Sequence, residues 1–382
     1  MTIMVQNAPA AADIGTTASQ KPRFVGIDII KILALFLVVC IHIFLYTGFY
    51  YEPITPSFGA TPIPFLWIAY NCVPLFMITT GYLMKNKTLS KDYYKGLIRI
   101  LVIYLICSLI CVQFNIWHFK KEYTLWTFLR GMIMFNNANY GWYIEYYVTI
   151  FLLIPFINAA FNSLPSQKQK LTMVVSVVLV TIVAQSLYIG HDFATQIKLV
   201  PGYFQRLYPV AYYLIGCYIR EYPPKRNLQN KLLAIALFLM ALAWLCTTSY
   251  NQSLQNVDNN NVFFSWRYKD YGSWPIMCMS LGIFLLLFDI TCKAKPVCKI
   301  LKVLGNSTLA TYLVSYVFDS ICHGKNSGAY PTVAERLQHA PLLALKIFGY
   351  SLCIGLAIHG LYDLCAWGIG KLAAKRKKPA AQ

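Results

Sequence analysis

The chain has 382 residues, of which 58% are hydrophobic and only 12% charged, and its mean hydropathy is +0.51. Soluble globular domains carry about 25% charged residues, so this composition excludes one. The net charge of +19 is of the size that nucleic-acid binders show, but its distribution along the chain points instead to membrane topology and anionic lipid.

Residues 1–20 are rich in Ala, Thr and Gln and lack a hydrophobic run. They are expected to form a disordered cytoplasmic tail rather than a cleaved signal peptide, with the first span acting as an uncleaved anchor. Stretches long enough to cross a bilayer follow at 24–46, 61–84, 98–118, 141–163, 171–190, 206–220, 231–249, 273–292, 303–323 and 341–369. The sixth is short, and the tenth contains Lys346, His359 and Asp363. Residues 124–135 are too short to span and are expected in the interface or as a re-entrant segment. The expected fold is therefore all-α: a polytopic helical bundle of about ten transmembrane helices over residues 21–370, followed by a basic cytoplasmic tail at 371–382.

Charge placement orients this bundle. With the N-terminus in the cytoplasm, the inner side holds 22 Lys and Arg residues against nine in the outer loops. That asymmetry satisfies the positive-inside rule and puts both termini in the cytoplasm. The twelve cysteines are scattered through the spans, and the closest pairs, Cys107/Cys111 and Cys292/Cys298, lack metal-ligand spacing, so they read as small apolar packing residues. The sequence carries no G-x-G-x-x-G, Walker loop, H-E-x-x-H or internal repeat, and no metal or bound cofactor is expected.

The first span contains Asp28, Lys31 and His42. At about 100° per residue, separations of eleven and fourteen residues close about three and four turns, so the three share one helical stripe, with Lys31 and His42 about 16 Å apart along the axis. An Asp or Lys at a helix centre costs roughly 2.5 to 3.5 kcal/mol to insert, so the stripe must face protein or water. Two readings fit: a functional stripe, or a snorkelling Lys31 paired with Asp28 beneath an ordinary core histidine.

A second segment, Val73-Pro74-Leu75-Phe76-Met77-Ile78-Thr79-Thr80-Gly81-Tyr82-Leu83, is followed by Tyr93-Tyr94-Lys95-Gly96-Leu97-Ile98-Arg99. Together with Asp28, Lys31 and His42, it resembles the integral-membrane acyltransferase family 3, bacterial enzymes that acylate sugars, polysaccharides and related envelope molecules. Further echoes are Gly141-Trp142-Tyr143 leading to Leu153-Ile154-Pro155, Tyr212-Tyr213-Leu214-Ile215-Gly216, and Asn306-Ser307-Thr308-Leu309-Ala310-Thr311-Tyr312-Leu313. The resemblance runs in order over about residues 23–320. Lys31 stands where many relatives have Arg, which keeps the charge but loses the planar fork. Only Arg99 is a clear Arg in the third-helix basic cluster, with Lys95 nearby. Tyr312-Leu313-Val314-Ser315 lacks the His that relatives often carry there. The chain looks like the form without an attached soluble domain.

The resemblance implies transfer of an acyl group, acetyl above all, from a cytoplasmic acyl-CoA such as acetyl-CoA to a hydroxyl of an envelope glycan. A histidine with a pKa near 6.5 suits removal of the hydroxyl proton, and the thioester needs no metal. His42, Lys31 and Asp28 are the expected catalytic residues. Lys31 and Arg99, with Lys95 nearby, are expected to attract the donor, though positive-inside anchoring explains Arg99 equally. Trp142, Glu145 and Asp319 are expected near the acceptor or His42, the two carboxylates having water-exposed helix-end positions as the alternative. The expected partners are the lipid bilayer of the bacterial plasma membrane, acyl-CoA and the glycan, with no nucleic acid. A polytopic exporter is the competing class, although Gly/Pro-broken helices in matching halves, the mark of alternating access, are not seen. Cysteine labelling should place Lys87, Arg226, Lys295 and Lys375 in the cytoplasm and Glu52, Asp258 and Lys325 outside; an external C-terminus would invert every later assignment.

Overall fold

The computed structural model describes residues 23–56, 58, 60–184, 186–189, 195–197, 199–263 and 270–376. The tail expected at 1–20 and the end of the one expected at 371–382 lie outside the described residues. Helices dominate: α1 (Gly26–Tyr46), α2 (Pro62–Ala69), α3 (Cys72–Met84), α4 (Lys91–Phe119), α5 (Leu125–Ile133), α6 (Trp142–Ser163), α7 (Gln167–Val178), α8 (Tyr208–Glu221), α9 (Leu228–Gln255), α10 (Trp274–Leu287), α11 (Lys295–Ala329), α12 (Val333–Gln338) and α13 (Ala340–Arg376). Local chemistry sets many of the starts. The side chains of Ser90, Ser166 and Asn227 accept from the backbone N–H three residues on, opening α4, α7 and α9. Proline sits in the first turn of α2, α8, α10 and α11, where its missing N–H costs nothing.

Each stretch expected to cross the membrane contains helix. Among the described residues, six helical stretches are long and apolar enough to do so: Gly26–Tyr46, Pro62–Met84, Lys91–Phe119, Trp142–Ser163, Leu228–Gln255 and Ala340–Gly368, with α10 apolar but shorter. The chain is an all-α, multi-pass membrane protein. The remaining expected spans differ for physical reasons. The stretch at 171–190 is divided between α7 and a π-helical turn, Leu179–Val183, and α8 has 14 residues. Helix α11 is long enough, at 35 residues, but its inner face is polar: Ser307, Thr308, Thr311, Ser315, Asp319 and His323 are buried. Packed between α1, α4 and α13, it needs no lipid-facing coat. Residues 125–133 form the short α5, with Leu125, Trp126, Leu129 and Ile133 exposed.

Two prolines interrupt the helical hydrogen bonding, at the start of α3 and inside α6. Pro74 cannot donate to the carbonyl four residues back, and the hydrophobic stretch 62–84 breaks between α2 and α3 at Tyr70–Asn71. Asn71 Nδ2 donates to the Trp67 and Ile68 carbonyls at 3.1 and 3.0 Å, and Ser280 Oγ donates to Asn71 Oδ1 at 2.7 Å, so the end of α2 is capped from within the protein. In α6, Pro155 leaves the Phe151 carbonyl without its helical donor. The Tyr93 hydroxyl of α4 supplies it, with its ring stacked on Phe151 at 4.4 Å between centroids.

Helices α3 and α8 cross with backbones in contact. A Cβ on Gly81 would lie 1.9 Å from the Tyr213 carbonyl oxygen, and one on Gly216 would lie 2.1 Å from that of Ile78. Only glycine permits this approach. Asn158 of α6 locks the crossing, donating to the Met84 and Lys87 carbonyls at 2.8 Å each and accepting from Tyr213 at 2.8 Å. At the same end Glu221 receives Lys85 and Lys170, each at 2.6 Å.

Tyr93→Phe retains the stacked ring but strands the Phe151 carbonyl. It should destabilise the detergent-solubilised protein by about 1–3 kcal/mol, the cost of an unsatisfied buried acceptor. Thermal unfolding against a Tyr94→Phe control measures this, and coincident midpoints would show that the carbonyl finds another donor.

Candidate active site

The central cavity, about 270 Å³, is walled by α1, α3, α6 and α11. Lys31 and His42 both line it, so the stripe on α1 faces the protein interior, at two levels about 16 Å apart. The walls between them are apolar and aromatic: Val38, Phe76, Trp142, Tyr143, Tyr271 and Tyr312, with Thr79, Thr80, Asn306 and Thr308 the polar exceptions. Trp142 is partly exposed and stacked on Tyr271, with centroids 6.2 Å apart and planes 10° apart.

At one end of the cavity, helices distant in sequence converge on a buried carboxylate. Asp319 of α11 has no solvent exposure. Its Oδ2 lies 2.9 Å from His42 Nδ1 and accepts from the Tyr140 hydroxyl at 2.6 Å. Since Tyr140 gives its only hydroxyl proton to Asp319, Tyr46, 3.2 Å away, must donate to Tyr140. The Tyr140 ring also packs on the His42 ring at 4.1 Å between centroids, and Tyr312 anchors the Tyr140 backbone by donating to its carbonyl at 2.8 Å. One turn beyond Asp319, His323 Nε2 lies 3.9 Å from Oδ1, beyond hydrogen-bond distance, while its ring packs on Tyr46 at 5.1 Å. With Asp319 ionised, His42 carries its proton on Nδ1 and presents the lone pair of Nε2.

The other residues singled out from sequence fall in several places. Asp28 is buried in the first turn of α1 against Gly305, where a Cβ would stand 3.0 Å from its Oδ1, and it lines a second cavity together with Lys31. Lys95 and Arg99 are not among the described residues lining the central cavity. Lys95 is exposed and donates to Asp92 at 2.6 Å. Arg99 lies 3.2 Å from His359 Nδ1, 3.7 Å from Asp363 and over the Tyr362 ring, joining α4 to α13. Glu145 is exposed in the first turn of α6, where a negative charge complements the helix dipole.

The sequence assigns no site role to Tyr140, Tyr46, His323 or Tyr271. The i, i+4 spacing of Asp319 and His323 was the available signal for the second histidine. Tyr140 lies in the turn between α5 and α6, directly before the Gly141-Trp142-Tyr143 segment, and no motif marks the residue itself.

A family model described as an acyltransferase domain matches residues 24–360. The chain belongs to acyltransferase family 3. No curated protein and no solved structure gives a significant match. The match spans every residue of the His42–Asp319 cluster, so this membrane acyltransferase carries the cluster within its family domain.

Removing the charge from Asp319 while keeping its shape tests the cluster. Asp319→Asn should lower acyl-transfer turnover by about 10² or more, the range of an impaired general base. Tyr140→Phe should cost less, about tenfold or somewhat more for one hydrogen bond to a charged acceptor. Turnover in membranes, normalised to protein, decides; parental turnover in Asp319→Asn would remove the carboxylate from the chemistry.

Proposed function

We propose that this protein is an O-acyltransferase of the bacterial plasma membrane that moves an acyl group, acetyl in the first instance, from a cytoplasmic acyl-CoA to a hydroxyl of a cell-envelope sugar or polysaccharide. The observation that carries the proposal is His42, its Nδ1 bonded to buried Asp319, in a cavity that also reaches Lys31. A sugar hydroxyl is too weak an acid to be ionised at neutral pH, so it needs a base at the moment of attack. His42 Nε2 takes the proton, and the hydroxyl oxygen bonds to the thioester carbonyl carbon. As the tetrahedral intermediate collapses, the carbon–sulfur bond breaks and the protonated imidazole returns its proton to the departing thiolate. No net proton is gained or lost. Asp319 stabilises the transient imidazolium and holds the ring tautomer; Tyr140 and Tyr46 hold Asp319.

The partly exposed Trp142, backed by Tyr271, offers the acceptor a flat apolar face of the kind that stacks on a sugar ring. Lys31, at the far level of the cavity, is suited to the anionic donor. Asp28, against Gly305 at that level, supports the Lys31 end of the helix rather than meeting the hydroxyl. Family membership supports transfer over export of a finished product.

The test is ester content. His42→Ala should insert and accumulate while alkali-labile O-acyl groups on the glycan fall to background. Normal ester content at matched protein levels would remove His42 from the mechanism.

A further inference from the structure

A second cavity, of about 500 Å³, lies at the N-terminal end of α1. Lys31 and Leu83 line both this cavity and the one containing His42, so the two abut at those side chains. Its remaining charges are Arg220, from the last turn of α8, Arg226, from the connection between α8 and α9, and the single carboxylate Asp28. Both guanidiniums are already held against aromatic rings. Arg220 lies 4.9 Å from the Tyr82 ring centroid and donates to the Tyr82 hydroxyl at 3.3 Å; Arg226 lies 4.7 Å from that of Phe24 and is paired with Asp289 at 3.0 Å.

We infer that this vestibule is the nucleotide site of the donor, in which Arg220 and Arg226 bind the phosphates of coenzyme A. The inference rests on the acyl-CoA reading above and adds residues that the sequence did not single out. A coenzyme A thioester has a polyanionic adenine nucleotide at one end and the reactive carbonyl at the other, joined by a slender uncharged arm. The anionic end cannot enter the apolar cavity without a large desolvation cost. The carbonyl must reach His42, about 16 Å beyond Lys31. A cationic chamber abutting a narrow, largely apolar cavity at Lys31 matches that division of charge along the molecule. Guanidinium forks bind phosphate oxygens bidentately, and stacking on Tyr82 and Phe24 limits the freedom they lose in doing so. Arg99, joined to His359 and Asp363, belongs to a different helix pair.

The full chain in phosphatidylcholine nanodiscs, which contain no net-anionic lipid, is titrated with coenzyme A, 3′-dephospho-coenzyme A and pantetheine. The parent should prefer them in that order. Replacing both Arg220→Gln and Arg226→Gln should weaken coenzyme A binding at least tenfold while leaving pantetheine binding within about twofold, and Lys at both positions should restore part of the loss. Asp289→Asn separates phosphate contact from the pair that Arg226 makes in the fold: coenzyme A binding equal to or tighter than the parent supports the inference, and a loss like that of the Gln variants overturns it for Arg226. If the double Gln variant binds coenzyme A like the parent and loses only retention of added phosphatidylglycerol, the arginines serve a lipid phosphate and the inference fails while the donor reading stands. If the parent binds no coenzyme A yet acylates glycan, the donor reading fails, and this inference with it.

Discussion

A carboxylate removed from solvent is the interaction on which the site depends. Asp319 gains nothing from water, so its charge is held by what the protein supplies: His42 at 2.9 Å and the Tyr140 hydroxyl at 2.6 Å. Both bonds fall on Oδ2, while Oδ1 has no hydrogen-bond partner among the described residues and His323 Nε2 stands 3.9 Å from it, so losing either bond would leave the buried charge still less compensated. Satisfying it draws together α1, α11 and the turn before α6, which are distant in sequence. The same bonds that stabilise the charge orient the imidazole. Structure and the proposed chemistry therefore draw on one network, the Tyr46–Tyr140–Asp319–His42 chain.

The surrounding bundle follows from a second constraint, that backbone groups at membrane depth find partners inside the protein. Pro155 interrupts helix continuity and the Tyr93 hydroxyl supplies the missing donor, while at the break before Pro74 the Asn71 side chain caps the last carbonyls of α2, those of Trp67 and Ile68. Irregular backbone beside a cavity is tolerable because it is covered by protein rather than lipid. The glycine crossing brings α3 and α8 into backbone contact, and Asn158 and Glu221 tie α6, α7 and the connection after α3 to it. The result is a route with two chemical characters. It is cationic and aromatic at the Lys31 end, apolar along its length, and polar again at His42.

Membrane character, the helical class and the alignment of Lys31 with His42 were determined by the sequence alone, because each is a local property. Hydrophobic run length decides whether a helix can span, and the helical repeat decides which residues share a stripe. The family was legible for the same reason, through short ordered segments such as Thr79-Thr80-Gly81-Tyr82. Tertiary structure decided what each polar residue faces. Asp319 and Glu145 look alike as acidic residues in apolar helices, yet one is buried against His42 and the other is exposed in the first turn of α6. Arg99 and Arg226 look alike as basic residues near helix ends, yet one joins α4 to α13 and the other lines the vestibule. Rotation about a helix axis and the crossing of distant helices settle those differences, and both depend on contacts between segments hundreds of residues apart. Periodicity within one segment carries no record of them.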